Sequence, residues 1–359
     1  MSKTTTTARV SREHLESFCI EAMRRAGMTD ADARVTAEVL VTTDTWGTHT
    51  HGTKQIRNLM KNFREGRMDI RAHAELTGEG PGWARFDGHA SMPMPTSVRA
   101  METAVAKAKN TGIAISTVCN SGHYGAAGYY AWLATTHDMI GLSFSNVDPG
   151  VAAPGSRGSV LGTNPLAYAV PAGQEHPVMM DIATSVVAAS KIYALRQLGK
   201  PLPEGWIVDG DGLPTTDPGN YPLAGALLPM AGHKGYGIGL MVELLTGVLA
   251  GGAFGRDVRS WVFGDVLPVN QSHTFIAINV GVFEPIEEFK RRTDTLIRQI
   301  KDAPKAKGSD RIWLPGEKEW EYRTKALAEG IALPQDVRAS LQGLAEDLGM
   351  SAGLLGEKE

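Results

Sequence analysis

What most constrains this chain is a change in its hydrophobic period near residue 75. Before it, apolar residues recur at i, i+3, i+4, i+7 and i+8, the spacing of one helix face. Leu15, Phe18, Cys19, Ala22 and Met23 form the first such set, which Ser11 can cap and Gly27 stops. Thr29-Asp30-Ala31-Asp32 has capping-box spacing, with Asp in place of Glu or Gln, and opens a second helix toward Asp44. Ile56, Leu59, Met60 and Phe63 mark a third, from about Thr53 to Glu65, ended by Gly66. From Leu76 onward, short β-rich runs alternate with helical ones. Trp83 to Phe86 followed by Asp87-Gly88 reads as strand and tight turn. Further strands are expected at 113–118, 140–145, 166–170, 178–182 and 275–280. Helices are expected at 98–112, 125–136, 185–195 and 236–249, then from 285 and from 317 to the end. The 236–249 helix reads as the clearest buried one, with Ile238, Met241, Val242, Leu245 and Leu249 in phase. The middle is mixed α/β and both ends are helical, without an internal repeat. Two long Gly/Pro-rich loops, 146–165 and 199–221, interrupt the middle, and loops of that length are usually functional.

At 359 residues there is chain enough for two lobes and a real core. A net charge of −3, with 42% hydrophobic and 21% charged residues, is globular and carries no nucleic-acid footprint. Two cysteines, Cys19 and Cys119, cannot make a disulfide framework and point to a reducing, cytoplasmic setting. Residues 1–10 are Thr-rich with no signal-like apolar region. The most apolar stretch, 240–250, carries Glu243 and falls short of the ~18 residues a membrane span needs. Neither a membrane nor a nucleic acid is an expected partner.

Three Gly-rich segments each hold histidine. Gly47-Thr48-His49-Thr50-His51-Gly52 lies between two expected helices, and imidazoles in such a loop can exchange protons near neutrality. The plain alternative is a capping turn with solvated rings; a metal site on His49 and His51 is a second. Asn120 to Gly128 includes Gly122-His123-Tyr124-Gly125 after a strand and opens a helix, whose free N–H groups favour anions. Gly232-His233-Lys234-Gly235-Tyr236-Gly237 could let backbone approach a pyrophosphate, with Lys234 as counter-charge. It is not Gly-x-Gly-x-x-Gly after a strand, so an ordinary Rossmann fingerprint is not supported. Asp181 ends an apolar strand before Ile182-Ala183-Thr184-Ser185, where it either joins a helix cap made by Thr184 or Ser185 or binds a ribose hydroxyl.

In this order, with Leu161-Gly162-Thr163-Asn164-Pro165, Met241-Val242-Glu243-Leu244-Leu245 and Leu314-Pro315-Gly316-Glu317, the segments resemble the type-2 malate/L-lactate dehydrogenase family. The resemblance covers about Val10 to Leu341. Gly212 to Pro218 and Gly247 to Arg256 are most similar to the ureidoglycolate dehydrogenases within it. It implies an α/β, non-Rossmann NAD(P)-binding fold of the L-sulfolactate dehydrogenase-like type and a homodimer. Residues 1–74 would form a helical segment, 75–300 the nucleotide lobe and 301–359 a second helical segment packed on the first. It further implies NAD or NADP contacts at Asp181, Ile182, Ala183 and Thr184, at His233, Lys234 and Gly235, and at Pro315, Gly316 and Glu317.

The implied reaction moves a hydride between nicotinamide and a small 2-oxo or 2-hydroxy compound, so a group must supply or take the matching proton. Family members are described with that role at one of two histidines, mapping to His51 and His123. Thr50 stands where the family has Ser and keeps the hydroxyl; His49 and Gln55 complete the implied substrate side. The departure is at Gln55, where the family's Ser-His-Gly-x-x-Arg pattern places a carboxylate-clamping Arg; a second family Arg is Trp46 here. A neutral amide cannot replace that charge. Lys54 and Arg57 lie about 100° and 200° round the helix from position 55. A metal-dependent hydrolase using His49 and His51, or a non-catalytic dinucleotide-binding member of the fold, are the competing readings.

Overall fold

The change of period is realised in space. A computed structural model describes residues 9–351; the first eight and last eight residues of the expected helical ends lie outside the described residues. After a short strand β1 (Arg9–Val10), α1 (Arg12–Arg25) starts with the Ser11 hydroxyl accepting the His14 N–H, and Gly27 at φ +100° ends it. Thr29 caps α2 (Asp30–Thr45): its hydroxyl accepts the Asp32 N–H and donates to the Asp32 carboxylate at 2.8 Å. A 3₁₀ turn at His49–His51 leads into α3 (Gln55–Arg64), which buries Ile56, Leu59 and Met60.

The alternating middle contributes β2 (Glu75–Gly80), β3 (Trp83–Asp87), α4 (Pro93–Thr111), β4 (Ile113–Ser121), α5 (Ala127–Thr135) and β5 (Met139–Ser145). Past the first long loop come β6 (Leu166–Val170), β7 (Val178–Ile182) and α6 (Ala189–Gln197). The two-residue strands β8 (Ile207–Val208), β9 (Pro214–Thr215) and β10 (Ala226–Leu227) make a small separate sheet. Then follow α7 (His233–Glu243), β11 (Gln271–Asn279), α8 (Ile286–Lys301), α9 (Glu317–Glu329), β12 (Ile331–Ala332) and α10 (Gln335–Asp347). β12 pairs with β1, tying the two ends of the chain together.

The main sheet has seven strands in the order β2-β3-β4-β11-β5-β6-β7. Only β3 and β4 run parallel; every other neighbouring pair is antiparallel. This is a mixed sheet, not the parallel doubly wound sheet of a Rossmann domain. The late strand β11 inserts between β4 and β5, so Phe275 and Ala277 reach the middle of the core. α4 and α5 pack on the sheet with Met101, Val105, Tyr130 and Ala134 buried. One core cluster runs from Val10 through Phe86, Tyr130 and Phe275 to Met350, so both helical ends share it with the sheet.

Two expectations are corrected. The helix expected from Ser185 begins only at Ala189, with Ala188 at the cap position and no side-chain cap. Thr184 and Ser185 do not cap it, because tertiary bonds hold their backbone extended. The Thr184 N–H donates to the Thr163 carbonyl at 2.8 Å, Val186 N–H to Leu228 at 2.8 Å, and the Ser185 hydroxyl to Val187. The helix expected at 236–249 exists, as α7 continued by a π-helical turn at Leu244–Val248, but it is not buried on its apolar side. Met241, Leu244, Val248 and Leu249 are each 43–52% exposed, while Gly235, Gly239, Val242, Glu243, Thr246 and Gly247 face the protein.

Candidate active site

The loop carrying His49 and His51 is wound around one buried carboxylate. Asp44 Oδ2 accepts the Thr53 N–H at 3.0 Å and its hydroxyl at 2.6 Å, while Oδ1 is 2.9 Å from His49 Nδ1. A side chain at Gly52 would collide with Asp44, its Cβ 2.5 Å from Cγ, so the wrap requires glycine there. His49 is therefore committed to Asp44 and does not line the cavity, contrary to its expected place on the substrate side. Nor is a metal site built on it: among the described residues no three His, Cys, Asp or Glu side chains are grouped to hold an ion.

His51 and His123 come together. Both line a cavity of about 1080 Å³, with ring centroids 5.3 Å apart and planes 29° from parallel. Trp261 stacks on His123, with ring centroids 4.3 Å apart. Thr50 Oγ1 lies 2.9 Å from His51 Nδ1, and the Gln55 amide donates to the Thr50 carbonyl. The Gly125 N–H donates to His123 Nδ1 at 3.3 Å. An N–H can only donate, so neutral His123 carries its hydrogen on Nε2. Desolvation lowers the pKa of His51; for His123 desolvation, then the nearby His51 and His273, lower it well below the ordinary value. Both rings are neutral near pH 7.

Asp181 opens into the same cavity from the end of β7. Its carboxylate accepts the Gly128 N–H at 2.7 Å, at the first turn of α5. The helix N-terminus that looks in sequence like a free anion site is thus taken by the protein's own carboxylate. Although exposed to the cavity, Asp181 has protein on all other sides, and desolvation raises it to about 6, with Glu319 adding and Gly128 opposing. Ala183 also lines the cavity, and the Thr184 hydroxyl donates to the Thr163 carbonyl at 2.9 Å. Met230 donates its N–H to the Thr184 carbonyl and Gly239 passes beside Thr184, so Ile182–Thr184 and the start of α7 are neighbours. His233 and Lys234 stand exposed there, and Gly235 is pressed on the Met230 carbonyl. None of these three lines the main cavity. Pro315-Gly316 crosses β7, the Pro315 carbonyl accepting the Met179 N–H at 3.3 Å. Pro315 and Glu317 line a second cavity of about 630 Å³ and not the main one. The Glu317 carboxylate is engaged by Lys301 and Arg311, both at 2.5 Å.

The model for the malate/L-lactate dehydrogenase family matches residues 10–342. The chain belongs to that family. It is 36% identical to malate dehydrogenase of Pyrococcus horikoshii, over 95% of this chain and 96% of that one. Identity to ureidoglycolate dehydrogenase (NAD(+)) of Escherichia coli is 32%, over 92% and 93%, no higher than to the malate enzyme. The solved sulfolactate dehydrogenase of Methanocaldococcus jannaschii superposes with a TM-score of 0.88 at 32% identity, covering 98% of this chain and all of that one. This family member is an oxidoreductase of the hydroxy-acid dehydrogenase class, on a mixed α/β fold shared with those relatives.

Sequence reasoning missed three residues: Trp261, which lines this dehydrogenase's cavity, and Asp44 and His273, which hold the segments that carry His51 and His123. Trp261 comes from a loop with no local motif. Asp44 reads as an ordinary helix-end acid. His273, fully buried on β11, stacks on Tyr124 at 4.2 Å and lies 3.0 Å from the Gly122 carbonyl, so it grips both neighbours of His123. The signal available for it was a histidine at a buried position of a strand, which by itself reads as core. The position-55 departure stands: Trp46 is packed among Tyr129, Trp132 and Trp320, and no arginine replaces Gln55. The cations of α3 and of its cap residue Lys54 that do line the cavity are committed, Lys54 to Asp336 at 2.6 Å, Arg57 and Arg64 both to Asp347 at 3.0 and 3.5 Å, and Lys61 to Glu65 at 3.6 Å.

Proposed function

We propose that this enzyme binds NAD or NADP in the main cavity and interconverts a small 2-oxo compound and its 2-hydroxy form, with His51 moving the proton. The observation that carries the reading is the unequal hydrogen-bonding of two adjacent histidines. His123 is locked with its hydrogen on Nε2, so it serves as a fixed donor to the substrate oxygen. His51 is not locked: the Thr50 hydroxyl beside its Nδ1 can donate or accept. With Nδ1–H donated to Thr50, His51 offers a lone pair at Nε2 that takes the alcohol proton and returns it to the developing alkoxide in the reverse direction.

The residues present fit a dinucleotide. The cavity has the volume such ligands need, Asp181 offers an acceptor for a ribose hydroxyl, and open space surrounds Gly232 and Gly237 at the start of α7 beside Lys234. When bound, the cofactor supplies or takes the hydride. Asp181 and Ala183, which line the main cavity, would hold it there; the His233–Gly235 turn lies beside Thr184 at the cavity's margin, and the Pro315–Glu317 turn borders the second cavity, so their contacts would be with the part of the cofactor that reaches beyond the main one.

We infer that it works as a homodimer in the cytoplasm. Met241, Leu244, Val248 and Leu249 expose an apolar helix face, and Phe263, Val266 and Leu267 expose another stretch of the loop that carries Trp261. Cys19 and Cys119 are buried free thiols, which suits a reducing compartment. Titration calorimetry with NADH and NADPH, then turnover of a 2-oxo acid panel, tests the reading. His51→Ala and His123→Ala should each lower turnover roughly 10²–10⁴-fold with cofactor affinity little changed. Absence of binding of both cofactors to folded protein refutes it. Leu244→Glu should convert a dimer to monomer in sedimentation.

A further inference from the structure

Ser145 and Gln271 line the main cavity together with His123, Tyr124 and Trp261, and neither takes part in the proton steps above. They stand on adjacent strands: Ser145 ends β5 opposite His273 of β11, two residues beyond Gln271. The surroundings of Ser145 fix the sense of its hydrogen bond. The Gly122 carbonyl, 3.0 Å from His273 Nε2, can only accept, so that nitrogen carries the hydrogen and Nδ1 presents a lone pair. Burial holds the ring neutral, pushing its pKa down to about 3. Ser145 Oγ is 3.0 Å from His273 Nδ1 and 2.9 Å from the Asn146 carbonyl. Both are acceptors. Whichever takes the single hydroxyl hydrogen, it points into the protein, and the cavity meets only oxygen lone pairs.

Gln271 is 1% exposed, and its buried Oε1 has no donor among the described residues. A buried acceptor without a partner is destabilising until something donates to it. A lone-pair oxygen and an amide with an unpaired carbonyl, lining one cavity, together complement one common group, a primary carboxamide: its NH₂ donates to the oxygen, and its own amide pairs with the glutamine. We propose that Ser145 and Gln271, oriented by His273, form a carboxamide-binding subsite. The inference rests on reading this cavity as the cofactor and substrate site. Two ligands could bring the group, the nicotinamide ring or an amide-bearing substrate.

Calorimetry separates them. NADH is compared with its reduced 3-acetylpyridine analogue, in which a methyl ketone replaces the carboxamide, and oxamate with pyruvate, on wild type, Ser145→Ala and Gln271→Met. ADP-ribose, which lacks the ring, reports on the rest of the cleft. If the nicotinamide supplies the carboxamide, wild type prefers NADH about 10-fold, the preference falls toward 1 in both variants, and ADP-ribose affinity is unchanged. If the substrate supplies it, the same pattern appears for oxamate over pyruvate instead. The subsite is overturned if wild type separates neither pair, if the variants keep the preference, or if ADP-ribose affinity falls in step. Failure of every dinucleotide to bind refutes the cofactor reading, and the oxamate comparison then decides the subsite alone.

Discussion

His273 should make this enzyme sensitive to mild acid, and one substitution should isolate its share. In the fold, burial lowers the imidazole from 6.5 to about 3. The unfolded chain therefore takes up a proton near 6.5 that the folded chain refuses until about pH 3, so stability rises with pH across this window and is lost as pH falls. Between pH 7 and pH 5, the unfolded-state uptake at one such group costs the folded state about 2 kcal/mol. Other groups move in the same interval. His51 and His123 are lowered and act in the same sense, whereas Asp181 is raised and acts in the opposite one. His273→Gln separates them, since the amide can donate to the Gly122 carbonyl and accept from Ser145 but does not titrate. Urea unfolding of both proteins at pH 7 and pH 5 measures the difference, in which His51 and Asp181 cancel and His123 keeps the desolvation that is the largest cause of its shift. Wild type should lose about 2 kcal/mol more than the variant over this range. Equal losses within about 0.5 kcal/mol would mean that His273 is not held neutral by burial, and the assigned tautomer would lose its footing.

Three further outcomes follow from the cavity. If His51 moves the proton as proposed, reductive kcat/KM should rise as pH falls from about 8 to about 6, and the oxidative rate should move the other way, because reduction then needs protonated His51 and oxidation its neutral form; His51→Gln should flatten both profiles, whereas His123→Gln, which keeps a donor, should lower the rate and preserve the slope. Gln55→Arg should raise kcat/KM for pyruvate or oxaloacetate about 10–150-fold relative to the native substrate, the worth of a charge-assisted bond, in a side-by-side panel assay. Glu243→Gln should lower unfolding stability by about 1–3 kcal/mol in urea, because one carboxylate oxygen accepts the Gly255 N–H and the other the Asn164 amide, so an NH₂ must face a donor on one side.

Sequence made the elements legible where local chemistry decides them. Ser11 and Thr29 cap because their hydroxyls meet N–H groups three residues ahead, and β6 and β7 occupy the expected residues because β-branched and apolar runs end in turns. It misled where distant partners decide. Thr184-Ser185 before small residues looks like a cap, but Thr163 and Leu228 claim that backbone first. A 3.6-residue apolar stripe in α7 shows that a face is meant to be covered, not by what; here Val242, glycines and Glu243 meet the protein, while Met241 and Leu249 of the stripe face outward. For the site, the Gly-flanked histidines announced His51 and His123, but Asp44's grip on His49, the locked tautomer of His123 and the stacking of Trp261 depend on contacts that no local pattern encodes.

The charge around the cavity narrows the substrate question further than Gln55 alone. Lys54 already holds Asp336, and Arg57 and Arg64 share the one carboxylate of Asp347, so a substrate carboxylate arriving there competes with existing exposed ion pairs, which are each worth about 1 kcal/mol or less. At the histidines the available groups are neutral: the His123 Nε2–H, the Thr50 hydroxyl and the Gln55 carbonyl. At the other end Asp181 and Glu319 line the cavity with negative charge. A substrate selected by such a surface is chosen by its hydroxyl, carbonyl or amide groups more than by its charge. On the proposed mechanism the proton chemistry rests on His51 and His123 and the choice of substrate on position 55, so the one can match a malate or lactate enzyme while the other does not.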